Sequence, residues 1–456
     1  MLREIETILA RQIGARNTGP QSGIGNVDVD AAASGPIGAD PASRPRRRKP
    51  VMNDTTVQSP AGPAPSVPEL TEPAQSLVAD VAARAGACEA ECRVPEETVA
   101  QFKAAGLHRT MLPARFGGHE LSFAPMVETS FALGKVCAST AWVCGLYMAH
   151  NWLGALFPKQ AQDDIWGADG DAVISGSYAP IGKAAPVKGG YRLSGRFPFS
   201  SGCPGSDWNL CGAMLPVGPE GKPAPCFTIV PKSDYTIDWE SWRPVGLAGT
   251  GSFDVLVDDV FVPAHRVLSF ADATGSTAPG ADTSDNPLYR ISLLTCVPFS
   301  LATPAVAAAA GALERYIEEN KVRETHGAVV LGGKKIADFQ TVQKRIGEAS
   351  ARIDACLALA RRDVEAAEAE VQADGKTSLE RRMQNRRTQA FIAHEAMTTM
   401  NLVFDAVGGR SLQHDHPAQR AWRDVAAVNH HISLNFDAVM SMYGQHVFGL
   451  PPEGQY

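Results

Sequence analysis

A handful of serines, histidines and glycines carry the chemistry this chain offers. Ser200 and Ser201 stand just before Gly202 in Phe199-Ser200-Ser201-Gly202-Cys203, at the end of a β-rich run. Taken alone they read as turn serines bonding their own backbone. Ser175 and Ser177 alternate with Gly176, so both fall on one side of a strand. Gly246 to Ser252 is a glycine-rich loop with hydroxyls at Thr250 and Ser252. Such backbone can approach a phosphate closely and offer it N–H groups. No GxGxxG precedes a helix there, so the loop is neither a Rossmann nor a P-loop pattern.

His431 lies eight residues after Arg423, on what the pattern predicts to be a C-terminal helix. Residues 425–436 contain no acid. An imidazole with an ordinary pKa of about 6.5 suits positioning or proton handling near neutral pH. His430 points about 100° away on that helix. His150 ends an apolar helix, just before Asn151-Trp152. His414 and His416 have the spacing of metal ligands, but no third ligand converges on them and a polar loop accounts for both. Cys88 and Cys92 lack a second ligand pair, so no metal is expected.

These residues need elements to hold them. The chain has 456 residues, 44% hydrophobic and 20% charged, with a formal charge of −7. That balance fits a globular protein with a sizeable core. It argues against a nucleic-acid or anionic-membrane binder. No run of ~18 uninterrupted apolar residues occurs; the most apolar, Leu301 to Leu313, is interrupted by Thr303 and Pro304. The nine cysteines form no CxxC, and no secretory signal opens the chain, so reduced thiols and a cytoplasmic location are expected.

Four segments follow. Residues 1–68 hold no aromatic side chain and are rich in Gly, Ala, Pro and Ser from 14 onward. They are expected to be a disordered extension, with Met52 an alternative start after the basic run Arg44 to Lys49. Residues 69–170 read as helices, with Pro95-Glu96-Glu97 a helix start and a long apolar helix, interrupted once, from about Pro125 to Leu156. Residues 171–270 hold five to seven short β-rich runs, expected as a small barrel or sandwich, with Gly189-Gly190 a hairpin turn. Residues 285–456 return to helical period. There Phe339, Val342, Ile346, Ala349, Ile353, Leu357, Ala360 and Val364 form one apolar stripe, and a helix over Gln384–Val407 stops at Gly408-Gly409.

That order resembles the acyl-CoA dehydrogenase superfamily, an α+β fold with an N-terminal helical domain, a central β-domain and a C-terminal four-helix bundle. The likeness rests on Gly106-Leu107, Pro113 and Phe116-Gly117-Gly118; on Asp338-Phe339-Gln340; and on Gly408-Gly409 followed by Pro417, Arg420, Arg423 and Asp424. Within it, the chain resembles the oxygenase components of two-component flavin monooxygenases that hydroxylate phenols such as p-hydroxyphenylacetate or a secosteroid phenol. Ala138 to Trp142, His150-Asn151-Trp152, Ser175 to Pro180, Phe199 to Cys203, Gly246 to Ser252 and Phe448 to Pro452 carry this second likeness. Gly176 and His414-Asp415-His416 depart from the secosteroid enzymes and leave the substrate open.

The resemblance implies reduced FMN as cofactor, with FAD as the alternative, supplied by a separate NAD(P)H-flavin reductase. It implies dioxygen, a C4a-hydroperoxyflavin, a small aromatic substrate, and a homotetramer. It assigns Ser201, with Ser200 as the neighbouring alternative, to the flavin N5. It assigns Ser175, Tyr178, Ala179 and Pro180 to the flavin ring, Thr250 and Ser252 to phosphate or ribityl, and Arg323 to a phosphate across a subunit boundary. His150 and Ser177 would orient the phenol, and His431 would position the peroxide or help deprotonate the phenol. The missing acid after Asp424 argues against the alternative, an FAD-dependent acyl-CoA dehydrogenase, which needs a carboxylate base. Sibling N- or S-oxygenases and a non-catalytic flavin binder remain as further readings.

Overall fold

The computed structural model describes residues 67–217, 221–326 and 332–456. The expected disordered stretch falls almost wholly outside the described residues. Val67 already opens helix α1, Val67–Ala90, where Ala74, Leu77, Val81, Ala85 and Cys88 recur at three or four and are buried. Helix α2 is Glu96–Ala104, with Glu96 and Glu97 in its first turn as expected. The long apolar helix is two: α3, Ala124–Gly134, and α4, Ala138–Ala155, parted at Lys135-Val136-Cys137. Every residue of α4 is buried. An amphipathic stripe is therefore absent, and the helix runs through the molecule's centre. Helix α5, Lys159–Trp166, leads to the strands.

The middle segment is a mixed seven-stranded sheet in the order β5-β6-β2-β1-β3-β4-β7. The strands are β1 Ile174–Val187, β2 Gly190–Phe197, β3 Trp208–Leu215, β4 Ala224–Pro231, β5 Thr236–Asp238, β6 Asp254–Pro263 and β7 Val267–Ser269. β1 and β2 form the expected hairpin, closing on Lys188-Gly189 with Gly189 at φ +85°. β1 and β3 are parallel, and their register jumps between the pairs Ser177–Cys211 and Gly182–Ala213. Residues 178–181 therefore bulge out of the sheet. Gly182 lies against the Phe197 ring, so the bulge stands beside the end of β2.

After short α6, Phe270–Gly275, and α7, Leu293–Cys296, the bundle begins. Its helices are α8 Phe299–Asn320, α9 Gln340–Asp374, α10 Leu379–Val407 and α11 Pro417–Asn429, followed by α12 Phe436–Val447. Residues Leu293–Asn320 are long and apolar enough to cross a membrane by composition, and their most apolar window is wholly buried among the other helices. α9 is 35 residues against 22 for α8, so it outruns its partner by roughly 20 Å. Consequently the stripe is buried from Ala349 onward, while Phe339, Val342 and Ile346 are only half-covered.

Candidate active site

Helix α4 supplies one wall. Trp142 and His150 lie two turns apart on it, both buried. The Trp142 Nε1–H donates to Ser201 Oγ at 3.2 Å, and the indole and the His431 ring meet edge to face, centroids 5.5 Å apart. Trp142 thus joins Ser201 and His431, two residues far apart in sequence.

Ser201 stands in a tight turn after β2. Its N–H donates to Phe199 O at 2.9 Å, and Gly202 N–H donates to Thr250 O at 2.9 Å. Gly202 has φ +77°, and a Cβ there would come within 2.9 Å of the Tyr147 ring, so only glycine fits. Phe199 sits at φ +58°, uncommon for an aromatic residue, and is 66% exposed. The two loops, 199–202 and 250–253, are laced together by these backbone bonds.

The Gly246–Ser252 loop is docked on α11. Leu247 N–H donates to Asp424 Oδ1 at 2.6 Å, and a Cβ on Gly246 would meet Arg423 O at 2.1 Å. Arg423 also pairs with Glu89 of α1 and bonds Val245 O. Burial pushes the Asp424 carboxyl up to about 7. The Arg423-Asp424 pair therefore fastens the loop to the bundle.

The loop's hydroxyls turn inward. Ser201 Oγ lies 2.7 Å from Ser252 Oγ, Ser252 Oγ lies 2.7 Å from Thr250 Oγ1, and Thr250 donates to Leu247 O at 2.8 Å. All three side chains are buried. The expected phosphate contacts from Thr250 and Ser252 are not available, because these hydroxyls are engaged with one another.

Ser175 and Ser200 also differ from expectation. Both donate to Asn209 Oδ1, at 2.7 and 2.5 Å, and Ser175 lies 2.8 Å from Ser206 Oγ. Both are fully buried. Their hydroxyl protons are thus engaged in bracing the scaffold. Ser177 is buried as well, yet its hydroxyl has no hydrogen-bond partner among the described residues. It remains open to a ligand. Tyr178 turns its ring inward beside His150, centroids 5.5 Å apart, and its hydroxyl has no partner among the described residues. Ala179 and Pro180 are exposed on the bulge.

The two histidines take opposite tautomers, as their partners dictate. His150 Nδ1 lies 3.0 Å from Ile174 O. A carbonyl only accepts, so Nδ1 carries the hydrogen and Nε2 is an acceptor. His431 is not on a helix. α11 ends at Asn429, and His431 caps the next turn, its Nδ1 accepting from Ser433 N–H at 3.2 Å. Its neutral form therefore carries hydrogen on Nε2 and is a donor. Burial lowers both rings to about 4, with the Arg386 guanidinium adding to the effect on His431. Among the described residues that guanidinium is the one charge acting on His431.

Arg386 of α10 was not legible as a site residue. It is buried, donates to Ser433 O at 2.6 Å and Gln389 Oε1 at 2.8 Å, and has no carboxylate partner among the described residues. It fixes the turn that presents His431. His430 is exposed and bonds Ala426 O at 2.8 Å. His416 caps α11 by accepting from Ala418 N–H at 3.2 Å, which accounts for one member of the HxH pair. Arg323 follows α8 and makes no ion pair or side-chain hydrogen bond among the described residues; nothing joins it to the Ser201 cluster. All nine cysteines are free.

Because both rings are neutral down to about pH 5, the rate profile is expected to show no acid limb near 6.5; any limb from these residues falls below about pH 5. Stability follows the same shifts. Between 6.5 and about 4 the unfolded chain takes up protons that the folded one does not, so both histidines destabilise the fold as pH drops through that window. Asp424 works oppositely between 7 and 3.8, since its folded carboxyl takes the proton first. A pH series of kcat/KM and melting temperature checks both.

Two family models match the chain: the acyl-CoA dehydrogenase N-terminal domain over residues 69–165 and its C-terminal domain over 299–436. The chain belongs to the acyl-CoA dehydrogenase family. Within that family it falls with the oxygenase components of flavin-dependent monooxygenases. It is 43% identical over 401 residues to the oxygenase component of an FADH2-dependent resorcinol hydroxylase from Rhizobium sp. (strain MTP-10005), covering 85% of this chain and 98% of that one. It is 35% identical to the monooxygenase oxygenase subunit HsaA of Rhodococcus jostii, covering 79% and 93%. Among solved structures, the 3-HSA hydroxylase from Rhodococcus sp. RHA1 superposes with a TM-score of 0.78 at 33% identity, covering 84% of this chain and 97% of that one.

Proposed function

We propose that this chain is the oxygenase component of a two-component monooxygenase that hydroxylates a phenol, with a separate NAD(P)H-flavin reductase supplying reduced flavin. The observation that carries the reading is the pair of neutral imidazoles of opposite tautomer, the buried His150 and the half-buried His431, with Trp142 tying His431 to Ser201. A dehydrogenase acting on a thioester needs a carboxylate base, and no acid occurs in residues 425–436.

The residues fit a reduced flavin. Ser201 keeps one acceptor site, Phe199 offers an exposed ring, and Ala179 and Pro180 stand free on the neighbouring bulge. Reduced flavin, when bound, supplies two electrons to dioxygen, so that one oxygen atom enters the aromatic C–H bond and the other leaves as water. The chain's own groups orient and protect. His150 Nε2 accepts the phenol hydroxyl, and the open Ser177 hydroxyl shares that task. By drawing on the phenol proton the acceptor raises electron density on the oxygen and, by delocalisation, at the ring carbon ortho to it. At a pKa of about 4 His150 is a hydrogen-bond acceptor and a poor proton store. His431 Nε2–H donates toward the oxygen being transferred. The wholly buried α4 behind them excludes water.

Reduced FAD is proposed ahead of the reduced FMN expected from the sequence, a choice supported by the relative named as FADH2-dependent. The same relative's name supports resorcinol as the first substrate to try. The bundle face is proposed to close a homotetramer: Ile432 is 89% and Phe448 84% exposed, and the α9 stripe is half-covered at Phe339, Val342 and Ile346. Light scattering giving a monomer mass would exclude that assembly. A cytoplasmic location accords with the nine free thiols. The function is tested by oxygen uptake and product mass with reductase-generated FADH2 or FMNH2 against resorcinol, p-hydroxyphenylacetate, indole and an amino sugar. A phenol gaining one oxygen atom is expected; oxygen uptake that yields only peroxide with every compound would reject the reading.

A further inference from the structure

The hydroxyl chain behind Ser201 permits one arrangement of hydrogens. Leu247 O can only accept, so the Thr250 proton goes to it. The 2.7 Å contact between Thr250 and Ser252 then requires the Ser252 proton. The 2.7 Å contact between Ser252 and Ser201 in turn requires the Ser201 proton. From the other side, Trp142 Nε1–H can only donate, and it fills one Ser201 lone pair. Ser201 is left with a single acceptor site and no proton to give.

From this relay we infer that Ser252 and Thr250 are positioning residues that make Ser201 an obligate hydrogen-bond acceptor, so that the site favours reduced flavin over oxidised flavin. The inference rests on the reading that Ser201 meets the flavin N5. N5 carries a hydrogen in reduced flavin and a bare lone pair in oxidised flavin. An acceptor-only serine is matched to the first and opposed to the second. Removing the Ser252 hydroxyl releases the Ser201 proton, which then turns toward the lone pair of oxidised N5. The same site thereby loses its selectivity without losing Ser201.

The test measures the dissociation constants of FAD and, anaerobically, FADH2 for the full chain and for Ser252→Ala, Ser252→Thr and Thr250→Val. In Ser252→Ala the ratio of oxidised to reduced dissociation constants is expected to fall about ten-fold, which lowers the potential of the bound couple by about 30 mV. Ser252→Thr keeps the hydroxyl and should hold the wild-type ratio. Thr250→Val should move it in the same direction as the alanine variant, by less. These shifts are expected while circular dichroism and melting stay close to wild type, which separates them from a folding defect. A wild-type chain that prefers FADH2 together with an unchanged ratio in both Ser252→Ala and Thr250→Val would overturn the relay and leave the proposed function standing. A wild-type chain that binds neither flavin would overturn both.

Discussion

His431→Ala is expected to lower coupled hydroxylation by about 10²-fold, while reduced flavin and oxygen are still consumed and hydrogen peroxide appears instead of product. Nδ1 is held by Ser433 N–H, the ring is braced by Trp142, and Arg386 anchors the turn through Ser433 O. One polar edge is left, Nε2–H, and the substitution deletes it. His431→Asn keeps an N–H donor on a shorter stem and should retain more product than the alanine variant. The ratio of product to peroxide, read beside the melting temperature, decides the point. A coupling ratio equal to wild type in His431→Ala would place the imidazole outside the chemistry.

Ser201→Ala is expected to have the second-largest effect, through two routes. The acceptor is lost, so coupling should fall by at least about ten-fold. The buried Trp142 Nε1–H is also left without a partner, at a cost of about 1–3 kcal/mol. In a chain of this size that corresponds to a melting temperature lower by roughly 1–4 °C. Ser201→Thr keeps the oxygen and should recover most of both losses. Peroxide yield and a thermal melt separate the routes, and an unaltered coupling ratio in Ser201→Ala would remove Ser201 from the reaction.

Much of this was legible in the sequence, and particular residues show why. The elements followed from period and punctuation: Gly408-Gly409 ends α10, Gly189 turns the β1–β2 hairpin, and the alternating serines of 175–177 lie on a strand. The candidates His150, Ser177, Ser201 and His431 came chiefly from the family motifs, since Ser201 by itself reads as a turn serine. What escaped was direction. Ser175 and Ser177 share a strand face in the simple alternation, yet one is tied to Asn209 and the other is left open, because the register breaks just after Ser177. Thr250 and Ser252 sit on a glycine loop that looks built for phosphate. The docking of Leu247 on Asp424 turns their hydroxyls toward Ser201 instead. His431 falls past the helix end because Asn429 Nδ2 bonds back to Val425 O and Ala393 O, closing α11 before it.

Two contributors had weak sequence signals. Trp142 entered only as the end of the Ala138 to Trp142 motif. Its contact with both Ser201 and His431 depends on loops more than fifty residues away. Arg386 lies in an arginine-rich stretch of α10, and nothing local marks it as the buried one. Long-range packing decided both.

The most direct measurement combines the full chain, an NADH-driven flavin reductase, FAD and resorcinol under isotopically heavy dioxygen, with products read by mass spectrometry. One heavy oxygen atom in a hydroxylated phenol, absent when the reductase or the chain is omitted, is the predicted result. Product oxygen drawn from water, or complete conversion of the dioxygen to peroxide across the phenols tried, would contradict a scaffold in which neutral imidazoles steer activated oxygen onto a phenol ring.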